Sequence, residues 1–169
     1  MKTITNKNDL LVALNDIAEN IAAIYRSYIL QKEKIATGKL YRSTLEGKSF
    51  YFTELNDVYQ LEINLPDEAE FIEYGRKPGS FPPVNAIKQW VRIKRLVPKM
   101  RKTIPEITLD QAAFLVGRAI KRDGIKPIPL IDMSLSRAEG DGLYAQIDDK
   151  IELYYDSLID AVVEKVFND

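Results

Sequence analysis

A chain of 169 residues, 46% apolar and 29% charged, is ordinary for a globular protein and long enough to bury about two-thirds of its unfolded surface. It contains no cysteine and no histidine, which excludes disulfides, thiolate chemistry and Ser-His-Asp or Cys-His catalysis, and fits a reducing cytoplasm. Its net charge of −1 argues against a dedicated nucleic-acid binder. Without an eighteen-residue apolar run or a basic-then-apolar leader, we expect no membrane span and no secretory signal.

The first predicted element is a long helix that Asn8 or Asp9 caps and that runs to about Lys34. Its apolar residues form one continuous stripe, wide enough to pack against a sheet or another helix. Gly38 then makes a backbone corner, and residues 39–43 start a short second helix. The stripe consists of Leu10, Leu11, Leu14, Ile17, Ala18, Ile21, Ile24, Tyr25 and Tyr28.

The next two elements are predicted strands. Residues 49–54 and 58–64 alternate apolar with polar side chains and are rich in Phe, Tyr, Val and Ile. Asn56 and Asp57 lie between them, so we predict an antiparallel β-hairpin with a type I or I′ turn. A proline then stops the second strand, and acidic residues stand at the positive end of the helix that follows.

The centre of the chain predicts a helix, a rigid corner and an amphipathic helix. Residues 69–74 form the first helix, which Gly75 ends in the left-handed conformation that glycine adopts without strain. Three prolines stiffen the following loop, because each fixes its own φ and biases the preceding residue to extended geometry. Pro83 opens the second helix. In that helix Val84, Ile87, Trp90, Val91 and Lys94 recur at three- and four-residue spacing.

The middle of the chain is strongly basic. The stretch from residue 76 to residue 102, here called the basic segment, has nine basic residues and no acidic one. Pro98 and Pro105 prevent residues 96–106 from forming one helix. The basic residues are Arg76, Lys77, Lys88, Arg92, Lys94, Arg95, Lys99, Arg101 and Lys102.

Beyond the basic segment we predict a helix that Thr108 caps and Gly124 closes. Residues 125–131 contain two prolines and are therefore extended, either as an edge strand or as a strap docked on the body. Residues 134–142 are predicted to form a short helix and a loop. The apolar face of the helix after Thr108 is expected to consist of Ala112, Leu115, Val116, Ala119 and Ile120.

The last predicted element is a long amphipathic helix, residues 143–167, with apolar residues at near-heptad intervals. Its solvent face is acidic, because residues 148–169 carry seven acidic residues and two lysines. The chain therefore combines a basic middle with an acidic end. The apolar positions are Ile147, Ile151, Tyr154, Leu158, Val162 and Val166, with Tyr155, Ile159 and Val163 alongside.

This charge split has three interpretations that the sequence leaves open. Both faces can simply be solvated. The basic segment of one copy can instead contact the acidic helix of the next copy, and head-to-tail contacts of that kind generate rings. In the third interpretation the basic segment meets phosphates and Phe81 and Trp90 stack on a base, as in a small DNA-binding accessory protein.

No catalytic, cofactor-binding or metal-binding constellation emerges from the sequence. Carboxylate pairs such as Asp148 with Asp149, or Glu70 with Glu73, lack the spacing of a calcium loop, and solvation on a helix surface explains them better. The loop at residues 75–79 lacks the Gly-Lys-Ser/Thr ending of a phosphate-binding loop. We therefore predict that the protein is not an enzyme and uses no cofactor.

Three segments are informative because of their order and spacing. Residues 36–43 read Ala-Thr-Gly-Lys-Leu-Tyr-Arg-Ser, and residues 71–75 read Phe-Ile-Glu-Tyr-Gly before the proline-rich turn and the helix with Trp90 and Val91. Residues 114–130 contain Phe-Leu, Arg-Ala-Ile and finally Gly-Ile-Lys-Pro-Ile-Pro-Leu. Together these segments resemble the head–tail connector family of tailed bacteriophages, whose members are tail-completion, neck or minor tail proteins.

The resemblance implies a structural virion protein at the neck, where copies form a homo-oligomeric ring around the DNA channel. The implied partners are other copies of the chain, the portal or adaptor, tail proteins and, non-specifically, the DNA in the channel, but no membrane. Such a protein is made and assembled in the host cytoplasm and resides in the virion. The chain departs from the family pattern in its basic stretch after Trp90 and in its long C-terminal helix.

We therefore predict a single α+β domain, with a connector-like body of residues 1–142 and a C-terminal helix of residues 143–169. The domain has a long N-terminal helix, a small antiparallel sheet with a hairpin at about residues 49–64, several short helices and a long amphipathic C-terminal helix. From the charge split we predict subunit contacts at Arg76, Lys77, Phe81, Trp90, Arg92 and Arg95 on the basic side and at Asp149, Glu152, Asp156 and Asp160 on the acidic side.

Overall fold

The computed structural model describes residues 4–32, 38–45 and 47–168. The predicted α+β class is confirmed, with long terminal helices and a two-stranded antiparallel sheet. Lys34, Ala36, Thr37 and Asp169, which the sequence predictions include, lie outside the described residues. The elements in chain order are α1 (Lys7–Gln31), α2 (Lys39–Ser43), β1 (Phe50–Leu55), β2 (Val58–Ile63), α3 (Glu68–Glu73), α4 (Val84–Ile93), α5 (Leu96–Met100), α6 (Leu109–Asp123), α7 (Leu130–Gly140) and α8 (Leu143–Asn168).

Helix α1 forms the centre of the larger of two hydrophobic clusters. Asn6 caps it, since the Asn6 side chain accepts a hydrogen bond from the Asp9 backbone N–H at 3.0 Å. The predicted cap at Asn8 or Asp9 is therefore wrong, because both residues already lie in the first turn. The predicted apolar stripe does supply the core. Its buried members are Leu10, Leu14, Ile17, Ala18, Ile21 and Tyr25, joined by Ala22 and Ile29.

The hairpin packs one face against α1. Phe50 and Phe52 of β1 are buried, and the Phe50 ring lies 5.4 Å from the Tyr25 ring. Asn15 of α1 accepts a hydrogen bond from the Phe52 backbone N–H at 2.8 Å. This bond fixes the position of β1 along the axis of α1. The two turn residues have φ values of 54° and 63°, as a type I′ turn requires.

A second, smaller cluster lies between α4, α5 and α6. The Thr108 cap is confirmed as a capping box with Gln111. The predicted apolar face of α6 is wrong at Leu115 and Ala119, which are exposed. Small residues let α6 approach its neighbours closely, so its buried side is the one that carries Gly117. The buried apolar residues of this cluster are Val91, Ile107, Ala112 and Ala113.

Helix α7 begins earlier than the sequence predicts. Residues 125–131 are extended only up to Pro129, and the helix runs from Leu130, four residues before the predicted start. Proline has no backbone N–H, so Pro129 at the helix boundary leaves no unsatisfied donor there. The helix can therefore start at the next residue. Burial of Leu130 against α1 and its neighbours then holds the first turn of α7 in the larger cluster.

Two glycine-containing segments meet where the clusters join, and we call this contact the glycine clasp. The Arg76 N–H donates to the Ile125 carbonyl at 2.9 Å, and the Ile125 N–H donates to the Arg76 carbonyl at 2.8 Å. A Cβ added at Gly75 would lie 2.2 Å from the Ile125 oxygen, and one added at Gly124 would lie 2.2 Å from the Arg76 oxygen. Each glycine therefore permits the approach of the opposite segment.

Glu73 is buried, although the sequence favoured a solvated helix surface for it. Its side chain is 7% exposed and accepts hydrogen bonds from the Tyr25 hydroxyl and from the Ile131 backbone N–H, both at 3.1 Å. The carboxyl group thus connects α1, α3 and the N-terminus of α7. Burial raises the pKa of Glu73 above its usual value, because a low-dielectric environment disfavours the charged form.

We expect Gly75→Ala to destabilise the protein more than the matched control Gly142→Ala. Both glycines have positive φ, so each variant incurs the roughly 1–2 kcal/mol that an L-residue costs there. Only the added methyl group at position 75 would also collide with backbone, since nothing lies within 4 Å of a Cβ at Gly142. Urea unfolding measures both losses, and equal losses would show that the glycine clasp is not tightly packed.

We expect the stability difference between the wild type and Glu73→Gln to depend on pH. The folded-state pKa of Glu73 is raised above 4.5, so the protonated carboxyl group contributes stability below that value. This contribution is lost as the pH rises through the folded pKa, so the wild type should lose stability relative to Glu73→Gln. Denaturant unfolding across this range tests it, with Glu70→Gln as the control for an exposed carboxylate of the same helix. A difference that is independent of pH would refute the assignment.

Candidate subunit interface

The ten predicted contact residues lie on two different surfaces. The basic set lies on the loop before α4, on α4 itself and at the junction with α5, whereas the acidic set lies on α8. None of the ion pairs among the described residues joins one set to the other. All but Arg76 and Phe81 are exposed, namely Lys77, Trp90, Arg92, Arg95, Asp149, Glu152, Asp156 and Asp160.

Parts of the basic segment are engaged within the chain. The Arg76 guanidinium donates to the Ser80 hydroxyl at 2.8 Å and to the Ser80 carbonyl at 3.2 Å, which closes the loop before α4. Lys88 pairs with Asp110 at 2.9 Å and so ties α4 to α6. Arg76 and Lys88 therefore stabilise the fold through contacts within the chain. The other predicted basic contacts extend into solvent.

Phe81 has a packing role that the sequence does not reveal. Its ring stacks on Phe114 of α6, with centroids 5.8 Å apart and planes 28° from parallel. The ring covers Gly117, where an added Cβ would lie 2.3 Å from its edge. Because residue 117 is glycine, the Phe81 ring fits against α6 at this position. Phe114, on which the ring stacks, is 54% exposed.

The outer face of α6 forms a shallow groove, which we call the α6 groove. Two adjoining depressions of ≈ 320 Å³ and ≈ 830 Å³ share Phe114 and Leu115 as their apolar floor. The larger depression has a basic rim of Arg118, Lys121 and Arg122. Sequence reasoning missed this face because it assigned Leu115 to the core. Arg118, Lys121 and Arg122 are three and four residues apart, which places them on one face of a helix, and this spacing could have indicated the exposed face.

The second surface is the C-terminal half of α8. The buried stripe of this helix ends at Tyr154, and its continuation is open to solvent. We call residues 155–168 the α8 tail. The exposed apolar residues of the tail are Tyr155, Leu158, Ile159, Val162 and Val163, and the acidic residues Asp156, Asp160 and Glu164 follow at four-residue spacing beside them.

Two other structural features are absent from the described residues. No group of three or more Asp or Glu side chains is placed to hold a metal ion there. None of the helices in the described part of the chain has both the length and the apolar character that a membrane crossing needs.

Comparison with known proteins gave no match. No protein-family model matches the chain, and neither the curated proteins nor the solved structures contain a significant match. The resemblance to head–tail connector proteins therefore stays a prediction from the three sequence segments.

We expect Gly117→Ala to be less stable than Gly140→Ala. In a helix, replacing glycine by alanine adds up to about 1 kcal/mol of stability by propensity, and both residues are helical. Gly140 has open space around it, whereas a methyl group at position 117 displaces the Phe81 ring. The two variants should differ by about the 0.5–1.5 kcal/mol of an aromatic pair, measured by urea unfolding. Equal stabilities would show that the ring stack contributes little.

Proposed function

We propose that the chain is a structural protein of the phage head–tail junction that forms a homo-oligomeric ring around the DNA channel. The observation that carries the proposal is the pair of exposed surfaces on one chain. The α8 tail is apolar and acidic, and the α6 groove is apolar and basic. Apolar surface exposed in this way is typical of a protein that completes its core by association.

Two of the three segments that resemble head–tail connector proteins occupy positions in the fold that support the proposal. The second and third segments meet in the glycine clasp, in the Phe81–Phe114 stack and in a hydrogen bond from the Ile128 N–H to the Ile72 carbonyl at 2.7 Å. These residues set the positions of α4 and α6 and hold no reacting group. A framework of this kind suits a protein that acts through its geometry.

In this proposal the partners are further copies of the chain, the portal or adaptor on one side and tail proteins on the other. The protein acts in the virion after assembly in the host cytoplasm, and it uses neither catalysis nor a cofactor. In this proposal the exposed basic side chains of Lys77, Arg92 and Arg95 contact the channel DNA non-specifically in the assembled ring.

A second candidate function is that of a small DNA-binding accessory protein. The exposure of Arg92 and Arg95 near Trp90, which is itself 38% exposed, favours it, because phosphate contacts and base stacking need accessible side chains. The near-neutral net charge of the chain favours the structural role instead.

We expect the DNA that flanks this gene to encode a portal, a large terminase subunit, a capsid protein or tail proteins. Sequencing of the flanking DNA in the source checks this. Neighbouring genes of metabolism or regulation would count against the head–tail junction and make the second candidate the stronger one.

Duplex DNA titrated at rising salt separates the two candidates. A free neck subunit should bind little DNA at any salt concentration. An accessory protein should bind at low salt and weaken steeply as the salt concentration rises, because phosphate contacts release counterions. Arg92→Glu with Arg95→Glu should abolish such binding, and Lys48→Glu with Lys165→Glu, two exposed lysines outside the basic segment, is the control with the same change in net charge.

A further inference from the structure

The α8 tail continues a stripe that is already used for packing. In the first half of α8, Leu143 and Tyr154 are buried against the larger cluster, with Ile147 and Ile151 packed beside them. One and two turns later, Leu158 and Val162 occupy the same side of the helix, yet 38% and 61% of their surfaces are exposed. The stripe thus extends beyond the body that covers its first half.

Helix α6, which carries the groove, matches this tail in length. The tail has 14 residues from 155 to 168, about 21 Å at 1.5 Å per residue. Helix α6 has 15 residues and is about 22 Å long. Phe114 and Leu115 lie at the middle of its outer face, and Ile104 extends the apolar floor at one end.

The charges of the tail are complementary to those of the larger depression, whereas the smaller depression is lined by the acidic Glu106. Asp156, Asp160 and Glu164 form a row beside the apolar stripe of the tail. Arg118 and Lys121 stand on the rim of the α6 groove, and neither side chain has an ion-pair partner among the described residues. Opposite charges of this kind set the register and increase the rate of association.

We propose that the α8 tail of one copy docks in the α6 groove of a neighbouring copy. The acceptor for the acidic helix is then the outer face of α6, next to Phe81, in place of the Arg92 and Arg95 surface that the sequence predicted. Docking in the α6 groove sets opposite charges against each other, whereas pairing between two acidic α8 tails offers no such complementarity. The inference rests on the proposed function only in requiring self-association.

The contact is heterologous, since it joins two different surfaces. Each copy donates one tail and accepts another, so the contact repeats from copy to copy. Such an interface closes into a ring when the rotation between neighbours permits, or into a reciprocal pair when two copies exchange tails.

Cross-linking in the cysteine-free chain tests the docking directly. Leu115→Cys and Val162→Cys are made as separate variants of different mass, mixed, and treated with a short bis-maleimide that tolerates a register shift of one helical turn. We expect a mixed cross-linked dimer that joins position 115 of one copy to position 162 of the other. Cross-links only between two copies of Val162→Cys, or no cross-link at all, would overturn the proposal.

Two controls make the result specific. Ala145→Cys lies on the same helix near the body and should give no cross-link to Leu115→Cys. Reversing the rim charges with Arg118→Glu and Lys121→Glu should strongly reduce the yield of the mixed dimer, with the circular dichroism spectrum unchanged. A yield that does not fall would refute the electrostatic part of the proposal.

The size of the assembly separates this inference from the proposed function. Sedimentation velocity of the wild type gives the number of copies. A complex of two copies with the 115–162 cross-link supports the docking and excludes the ring. Ring-sized particles without that cross-link overturn the docking and leave the proposed function in place.

Discussion

The rest of the fold depends on the glycine clasp, where two backbone segments approach more closely than any side chain would allow. Gly75 and Gly124 each give space to the carbonyl of the opposite segment, and two hydrogen bonds between Arg76 and Ile125 close the contact. This contact joins the cluster built on α1 to the smaller one between α4, α5 and α6. It therefore fixes the C-terminal end of α6 against the loop that precedes α4.

The buried residues of α6 are small, and this has a consequence for the surface. Ala112, Ala113 and Gly117 bury little apolar area on the inner side of α6, while Phe114 and Leu115 remain on the outer side. The α8 tail likewise carries apolar residues that the body does not cover. The single chain thus leaves on its surface two apolar features that a neighbouring copy would bury in our proposal.

Carboxylate side chains have different roles in the core and on the surface of this protein. Glu73 is enclosed by α1, α3 and α7, where its two hydrogen bonds compensate for burial. Asp156 and Asp160 are exposed on the part of α8 that extends beyond the body, and they contribute to its acidic surface. The net charge of −1 conceals the contrast between the basic segment and the acidic face of α8, which lie far apart in the sequence.

By itself the sequence determined the features that depend on neighbours along the chain. These include a tight hairpin turn at Asn56 and Asp57, whose type the structure then shows, the Thr108 cap, the left-handed Gly75 and the amphipathic terminal helices. Only the tertiary structure decided which side of α6 is buried, that Glu73 is buried, and that α8 extends beyond the residues that cover its first half. These outcomes depend on which distant segments arrive at a surface. Helical periodicity predicts an apolar face, but it carries no information on whether that face meets the core or another copy.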